Sequence, residues 1–268
     1  MPPADRVIRF HRLHQSGCFV IPNPWDLGSA RLLEQLGFPA LATTSSGFAW
    51  SQGRRDNAVP LDTVLGHLRT LAEGVRVPLS ADFEGGFAVE PAGVARNVTA
   101  AVATGIAGLS IEDSTGDAAA PLLPRELAVE RIHAARAAID GSGTGVLLTA
   151  RSEGFIVGRP NLEETVRRLV AFSDAGADCL YAPGIQEVAQ IRAVVKAVAP
   201  RPVNVLVGSG FITVAALAAA GVRRISVGGA LARAAWGAFL AAAREIAEQG
   251  TFTRLGAGEP FGSLDARF

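Results

Sequence analysis

The chain has 268 residues and no formal net charge at pH 7; 49% of its residues are hydrophobic and 19% are charged. This balance is typical of a compact folded protein with a large core, and it excludes an intrinsically disordered chain. Because the chain has neither net positive charge nor a basic run, we expect neither nucleic acid nor an anionic membrane as a partner. No apolar stretch is long enough to span a bilayer and the N-terminus lacks a signal-peptide segment, so the cytoplasm is the expected location.

Apolar runs alternate with amphipathic segments along nearly the whole chain, which predicts strands alternating with helices. The predicted strands are residues 18–21, 40–43, 77–83, 108–112, 146–150, 178–182, 203–207 and 224–227. The predicted helices are residues 27–36, 61–73, 94–104, 125–139, 162–175, 187–198, 214–220 and 231–249. Eight such units in succession predict an α/β fold, a single (β/α)8 TIM-type barrel with a parallel sheet. We expect one domain over residues 1–268, with about 231–268 as a C-terminal helical extension.

Glycine follows several predicted helices, where it allows the left-handed turn that ends a helix. These glycines are Gly37, Gly105, Gly176 and Gly221. An open, doubly wound sheet is the main alternative fold, but its phosphate-binding fingerprint is missing. Gly208-Ser209-Gly210 lacks the third glycine and follows predicted strand seven instead of lying in an N-terminal half. The pattern therefore favours the barrel.

Acidic residues gather where predicted strands three and four end, and in barrels of this kind the chemistry occurs at the C-terminal strand ends. Asp82 and Glu84 are two residues apart, so on a strand they would face the same side. Glu112 and Asp113 end the next strand. Four acids on adjacent strand ends would repel one another unless a cation neutralised them, and Mg²⁺ prefers carboxylate ligands. The pattern predicts a metal site, while a solvated strand end is the alternative for each acid alone.

Two further groups at the strand ends are suited to binding an anionic substrate. Arg151, at the end of strand five, presents a planar fork of donors for a carboxylate or phosphate, with Glu153 holding the guanidinium in place. A structural ion pair at the rim is the alternative. The segment 43–47, Thr-Thr-Ser-Ser-Gly, offers hydroxyls and backbone N–H groups to a carboxylate, although it also reads as an ordinary turn. Asn204 on strand seven is a weaker candidate for the barrel mouth.

Two loops near the predicted mouth have open roles. Asp56 lies in a charged cluster before the helix that begins near Pro60, where it either caps that helix or reaches the metal through water. Residues 114–124 follow strand four directly and either close over the mouth as a lid or form a plain surface connection.

Other catalytic chemistries are disfavoured by where their residues lie. His67 and His133 fall in predicted helices, where we expect them at the helix surface, and this argues against a zinc site or a Ser-His-Asp triad. Lys196 is the only lysine and also lies in a predicted helix, which disfavours a Schiff-base aldolase. Cys18 and Cys179 lie in apolar runs typical of buried structural thiols.

An ordered set of motifs over roughly residues 5–250 resembles the isocitrate lyase/phosphoenolpyruvate mutase superfamily. The motifs are Pro22-Asn23-Pro24-Trp25-Asp26 with Gly28-Ser29-Ala30-Arg31, Thr43-Thr44-Ser45-Ser46-Gly47, Ala81-Asp82-Phe83-Glu84-Gly85-Gly86-Phe87, Ile111-Glu112-Asp113 and Ala150-Arg151-Ser152-Glu153. The resemblance implies a barrel, a homotetramer of paired dimers with a swapped last helix, and Mg²⁺ or Mn²⁺. It also implies a small α-oxo or α-hydroxy carboxylate whose C–C or P–C bond is cleaved or formed through a metal-stabilised enolate.

The resemblance also assigns roles by position. It implies Asp82 as the most direct metal ligand, with Glu84, Glu112 and Asp56 acting directly or through water. Arg151 would bind the other anionic end of the substrate, and with Asp56 and Glu112 it makes up the expected catalytic set. The residues expected to contact the substrate are Ser46, Gly47, Phe48, Arg151 and Asn204.

The departures from the superfamily pattern narrow the expected activity. Ser114-Thr115-Gly116-Asp117 stands where isocitrate and methylisocitrate lyases carry a catalytic cysteine in a Lys-Lys/Arg-Cys-Gly-His loop. Tyr181-Ala182-Pro183 stands where those lyases place a glutamate, and their Asp-x-Asp has become Asp82-x-Glu84. The branch of phosphonopyruvate- and oxaloacetate-type lyases, decarboxylases and hydrolases is therefore favoured. A non-catalytic barrel that binds small carboxylates and a phosphate-sugar barrel are the alternatives.

Overall fold

Eight short parallel strands form the wall of a barrel in the computed structural model, which describes residues 2–268. The strands pair in the order β1-β8-β7-β6-β5-β4-β3-β2, and the Ala42 N–H donates to the Pro22 carbonyl at 3.1 Å across the remaining seam. Their bounds are β1 Phe19–Ile21, β2 Leu41–Ala42, β3 Leu79–Asp82, β4 Gly108–Glu112, β5 Leu147–Arg151, β6 Cys179–Tyr181, β7 Val203–Leu206 and β8 Arg224–Ser226. The predicted (β/α)8 barrel is confirmed.

Helices surround the barrel, and each predicted helix has an observed counterpart. The helices are α1 Pro3–Gln15, α2 Leu27–Gln35, α3 Ser45–Ser51, α4 Leu61–Gly74, α5 Pro91–Val102, α6 Arg125–Ser142, α7 Leu162–Asp174, α8 Val188–Val198, α9 Val214–Ala219, α10 Ala230–Gln249 and α11 Phe261–Asp265. The predicted glycine turns are confirmed, since Gly37, Gly105, Gly176 and Gly221 all have positive φ, between 86° and 102°. This backbone conformation is open to glycine at little cost and redirects the chain into the next strand.

The helix α1, which the sequence pattern did not predict, covers the N-terminal end of the barrel. The Phe10 ring lies so close beneath β4 that a Cβ on Gly108 would be 2.5 Å from it. The buried Arg6 guanidinium donates to the carbonyls of Ala72 and Val75, just before β3. Because two of the four buried positions of α1 are arginine and histidine, its apolar periodicity is weak.

The hydrophobic core lies between the strands and the helices, whereas the inside of the barrel is partly polar. The polar side chains buried in the barrel wall include Ser80, Ser110, Thr149, Asn204, Arg224 and Ser226. A barrel interior is more often filled by layers of branched aliphatic side chains. The polar interior therefore leaves room and hydrogen-bonding groups for a ligand inside the barrel.

The last part of the chain leaves a large apolar surface exposed. Helix α10 is followed by a short 3₁₀ helix, Thr253–Ala257, and by α11. The exposed apolar side chains in this region are Leu231, Trp236, Phe239, Leu240, Ile246, Phe252, Leu255, Phe261, Leu264 and Phe268. So many exposed apolar side chains in one region usually mark an interaction site.

None of the helices within residues 2–268 combines the length and the apolar character needed to cross a membrane.

Candidate active site

The Arg151 guanidinium lies among three carboxylates at the C-terminal end of the barrel. Its NH1 is 2.6 Å from Asp82 Oδ1, its NH2 is 3.2 Å from Glu112 Oε2, and its Nε is 2.9 Å from Glu153 Oε1. The three carboxylate side chains are between 4% and 19% exposed, so solvent screens these contacts weakly. The sequence placed Arg151 opposite a metal, whereas the structure places it between the acids.

Strand pairing explains why these residues meet. Glu112 is the register partner of Arg151 in the β4–β5 pair, and Asp82 is the register partner of Ser110 in the β3–β4 pair. Asp82, Glu112 and Arg151 are the last residues of their strands, so their side chains emerge at the same edge. Asp82 is also fixed by the Ser45 N–H, which donates to Oδ2 at 3.1 Å.

Asp113 is already paired with an arginine of α7, so the expectation that all four acids need a cation at the mouth was wrong for this one. Its carboxylate is 1% exposed, and Oδ2 lies 3.1 Å from NH1 of Arg168 on α7. The Oδ1 atom accepts the Glu153 N–H at 2.8 Å. Asp113 therefore ties Glu153, and through it Arg151, to the outer ring of helices.

Glu84 reaches the mouth by a different route from the predicted one. Strand β3 ends at Asp82, and Glu84 lies in the following turn with a left-handed backbone, φ +48°. The alternation argument was therefore wrong, because it assumed a continuous strand over both acids. This uncommon conformation is held because the Glu112 N–H donates to the Glu84 carbonyl at 3.0 Å, and Arg131 donates to the carbonyl of Gly85.

Asp82 and Glu84 nevertheless border the same small cavity beneath α3. Burial and the charges of Asp82, Asp56 and Glu112 raise the pKa of Glu84 from 4.5 to about 8. Burial also raises the pKa of Glu112, against the opposing effect of Arg151, and raises the pKa of Glu153 to about 8. The mouth therefore holds more carboxyl groups than one guanidinium can keep ionised.

Asp56 lies at the exposed rim and borders two cavities at the mouth. Partial desolvation and the charge of Asp82 raise its pKa. The alternative that Asp56 caps the next helix is wrong, since Pro60 occupies the N-cap of α4 and no side chain caps it. Its Oδ1 instead accepts the N–H of Asn57.

The segment expected to bind a substrate carboxylate forms the first turn of helix α3. Thr44 is the N-cap, and Ser46 borders the mouth with its hydroxyl 3.1 Å from Thr44 Oγ1. Gly47 is packed too tightly for any side chain, since a Cβ there would be 2.7 Å from Thr44 Cγ2. Phe48 is not brought to the mouth: its N–H donates to the Thr44 carbonyl, and its ring stacks on His67 at 3.7 Å.

His67 was expected at a helix surface, and this prediction was wrong. His67 lies on α4, and its half-buried ring stacks against Phe48. The ring borders the small cavity that Asp82 and Glu84 also border. Burial lowers the pKa of His67 to about 4, so the ring is neutral near pH 7. His133 is exposed as predicted, and Lys196 lies in helix α8 as predicted. Cys179 is buried as predicted, whereas Cys18 is only half-buried.

Two connected cavities open at the mouth. The deeper one, of about 280 Å³, runs into the barrel past Asp82, Arg151 and Tyr181. The outer one, of about 480 Å³, is lined partly by residues 114–121 of the loop after β4. Ser114 forms an antiparallel bridge with Leu122, which gives this loop a folded hairpin shape. Its role as a lid stays a prediction.

Asn204 lies inside the deeper cavity and is buried, where it contacts an arginine that the sequence analysis missed. Its Oδ1 accepts from Nε of Arg224 at 2.9 Å, and its Nδ2 donates to Ser226 Oγ at 2.9 Å. The signal that could have identified Arg224 was an arginine at the start of a predicted buried strand. Such a residue needs a polar partner inside the fold.

Known proteins share this fold and sequence over most of the chain. A sequence model of the phosphoenolpyruvate phosphomutase family matches residues 10–247. A candidate lyase/mutase from Burkholderia cenocepacia J2315 is 48% identical, with a TM-score of 0.96 over 98% of this chain and 96% of that protein. Oxaloacetate acetylhydrolase, in complex with its product oxalate, is 26% identical, with a TM-score of 0.87 over 100% of this chain and 95% of that enzyme. The 2-methylisocitrate lyase of Escherichia coli K12 is 31% identical over 169 residues, 61% of this chain and 56% of the lyase.

Proposed function

Because the chain belongs to the phosphoenolpyruvate phosphomutase family, whose relatives include lyases and mutases of the isocitrate lyase/phosphoenolpyruvate mutase superfamily, we propose that it is a Mg²⁺-dependent lyase. Its substrate is a small α-oxo or α-hydroxy carboxylate with a second anionic group, and the reaction breaks or forms a C–C or P–C bond through an enolate. The observation that carries the proposal is the excess of buried carboxylates around Arg151.

The side chains at the mouth fit a hard divalent cation by their chemistry. Asp82, Glu84 and Glu112 would hold it, with Asp56 at the rim, because Mg²⁺ and Mn²⁺ prefer carboxylate oxygens. Burial and, to a smaller extent, the neighbouring carboxylates raise the pKa of Glu84 to about 8, and a cation there would oppose both effects. Within residues 2–268, no three histidine, cysteine, aspartate or glutamate side chains already stand at the spacing of a metal site. When bound, the ion would polarise the carbonyl and carboxylate oxygens of the substrate.

The residues of the chain itself supply substrate binding and neutralisation. Three carboxylates hold the Arg151 guanidinium in a fixed position at the mouth. A substrate carboxylate could replace one of these partners, because a guanidinium binds any carboxylate with the same geometry. The Tyr181 ring lies 5.2 Å from the Arg151 Cζ atom, where superfamily lyases have a glutamate. Burial raises the pKa of Tyr181 to about 12, so this side chain keeps its proton and adds no further negative charge.

A non-catalytic barrel that binds small carboxylates is the second candidate. The observation that favours it is that Asp82, Glu112 and Glu153 each already have a cationic partner in Arg151 without a metal. The additional carboxyl groups of Glu84 and Asp56, whose pKa values burial and neighbouring charges raise, argue for the enzyme, because a simple carboxylate binder has no need of them.

The exposed apolar surface of α10 and the segments after it supports an oligomer. We propose the homotetramer implied by the resemblance, in which this C-terminal region exchanges between neighbouring subunits. The cytoplasm is the proposed location.

Pyruvate release tests the proposed function directly. Purified protein is incubated with oxaloacetate, phosphonopyruvate or 2-methylisocitrate, with Mg²⁺ or with EDTA, and corrected for metal-catalysed breakdown without protein. We expect Mg²⁺-dependent release from at least one substrate and its loss by more than a hundredfold, on the order of a removed transition-state contact, in Asp82→Asn. Asp174→Asn, an exposed acid at the end of α7, is the matched control. Full activity of Asp82→Asn, or release that ignores EDTA, would refute the mechanism.

A further inference from the structure

Arg224 is a buried arginine whose hydrogen-bond partners are all neutral. Its side chain extends from β8 into the barrel, and the residue is 5% exposed. Its Nε donates to Asn204 Oδ1 at 2.9 Å, its NH2 to Thr149 Oγ1 at 3.0 Å, and its NH1 lies 3.4 Å from His14 Nε2. Within residues 2–268, no carboxylate lies within ion-pair distance of this guanidinium.

His14 cannot supply the missing negative charge. Its Nδ1 lies 2.8 Å from the Phe10 carbonyl and must donate to it, which leaves Nε2 without a proton and able to accept from Arg224. Burial and the charge of Arg224 lower the pKa of His14 to about 3, so the ring stays neutral. The floor of the cavity therefore carries a positive charge held by uncharged groups.

The remaining N–H groups of Arg224 are available to a ligand. Nε and one N–H on each terminal nitrogen account for the three protein contacts, which leaves a second N–H on each terminal nitrogen. Arg224 lines the deeper cavity together with Asn204 and Ser226. A buried charge without a counter-ion is costly, and a bound anion would offset that cost.

The position of Arg224 relative to Arg151 sets the length of such a ligand. Arg224 reaches across the barrel to Thr149, which precedes Arg151 by two residues on β5. Two residues along a strand correspond to about 6–7 Å. The Arg224 guanidinium therefore lies about that far below the level of Arg151 at the mouth. One cavity thus connects two positively charged groups at different depths.

We propose that Arg224 binds the distal anionic group, a carboxylate or a phosphonate, of a short doubly charged substrate whose other end lies at Arg151. This assignment rests on the proposed function and adds to it a residue that selects substrates with a second charge. Asn204, Thr149 and His14 position the guanidinium and, being neutral, leave its charge for the ligand.

Two probes separate the two levels of the cavity. Oxalate with Mg²⁺ is too short to extend far from the mouth and tests the proposed function, whereas succinate in EDTA tests the anion site at Arg224. Both affinities are measured by calorimetry on the intact protein. The variants are Arg224→Met and Asn204→Asp, of which the second places a carboxylate beside Nε without changing side-chain shape. Arg223→Met is the control, because that side chain donates to the Gly17 carbonyl outside the cavity.

We expect succinate to bind the wild type, and both variants to weaken it by about 10- to 100-fold, the range of a lost charged hydrogen bond. The Kd of oxalate with Mg²⁺ should stay within about twofold of wild type in both variants, a small difference in binding free energy. In the control Arg223→Met, the Kd values of both ligands should stay within the same range. If Arg224→Met fails to fold, Asn204→Asp decides, because its internal counter-charge should raise the melting temperature.

Succinate binding that is absent from the wild type, or unchanged in Asn204→Asp, would overturn the proposal. Oxalate that fails to bind the wild type, combined with succinate binding that depends on Arg224, would refute the proposed function and support the anion site.

Discussion

Replacing Arg151 with methionine should destabilise the protein strongly when no metal is present. The change removes the cation that contacts Asp82, Glu112 and Glu153 at 2.6, 3.2 and 2.9 Å, and it leaves these carboxylates buried. Removing one partner of a buried ion pair typically costs about 3–5 kcal/mol in the free energy of unfolding. At about 2–4 °C per kcal/mol for a chain of this size, the melting temperature should fall by roughly 6–20 °C.

The same change should increase the response of the protein to Mg²⁺. Without Arg151, the carboxylates of Asp82 and Glu112 lose the group that competes with a cation for their oxygens. A ligand that binds the folded state stabilises it in proportion to RT ln(1 + [L]/Kd), so a tighter Kd gives a larger shift at equal Mg²⁺. Arg151→Met should therefore recover more stability on adding Mg²⁺ than the wild type gains, while its turnover remains absent.

Thermal unfolding followed by circular dichroism measures both effects, first in EDTA and then in about 10 mM Mg²⁺. This concentration is roughly ten times the Kd of an ordinary Mg²⁺ site. Arg167→Met is the control, since the exposed Arg167 pairs with exposed Glu163 and, at 4.0 Å, with half-buried Glu164 on α7, and its loss should shift stability by less than about 0.5 kcal/mol. Burial already raises the pKa of Glu153 to about 8, and loss of Arg151 would raise it further, so through this group the loss in Arg151→Met should grow only above about pH 8. A melting temperature in EDTA within about 1 °C of wild type would refute the reasoning.

Three further predictions concern other parts of the molecule. The pKa of His14 is lowered from 6.5 to about 3, so protons favour the unfolded chain, and the free energy of unfolding should fall by about 2 kcal/mol between pH 7 and pH 5 through this group. In His14→Phe, urea denaturation at the two pH values should show this fall reduced; an unchanged fall would contradict the assignment. Gly47→Ala should lower the free energy of unfolding by about 1–3 kcal/mol through overpacking, because the new Cβ would lie 2.7 Å from a neighbouring side-chain carbon. Gly66→Ala, on α4 where a Cβ would meet no atom within 4 Å, should be neutral or stabilising. Equal denaturation midpoints for the two alanine variants would rule this out. Phe239→Asp combined with Leu240→Arg should lower the mass measured by analytical ultracentrifugation; an unchanged mass would exclude α10 from the subunit interface.

The barrel could be predicted from sequence because its signals are local and repeated. Apolar strand runs recur, and glycines such as Gly105 and Gly176 end the helices with a backbone that other residues rarely adopt. Helix α3 was missed because Ser45–Ser51 begins with serines and glycine, which read as a turn until Thr44 is seen to cap it. Its formation depends on tertiary contacts, including the Ser45 N–H that binds Asp82.

The site was predicted in part, for a related reason. Residue types at strand ends identified Asp82, Glu112 and Arg151, since strand register alone brings them together, and Glu153 two residues beyond Arg151. Register does not say which face a residue takes after its strand ends, so Asp113 was placed with the mouth acids although it pairs with a helix. Long side chains inside the barrel also cross to distant strands, as Arg224 does, and no spacing along the chain encodes that contact.

Helix α1 gives the cavity a floor that is separate from the repeating wall. The walls come from strands that each depend on two neighbours, so a change in one strand disturbs the whole cylinder. Beneath the floor lies a 13-residue helix whose His14 contacts Arg224, the arginine that lines the cavity. Substitutions in this helix would therefore act on the position of Arg224 while leaving the acids at the mouth untouched. The fold can thus adjust how it binds the far end of a substrate through its N-terminal segment, without changing the bond-breaking end of the cavity.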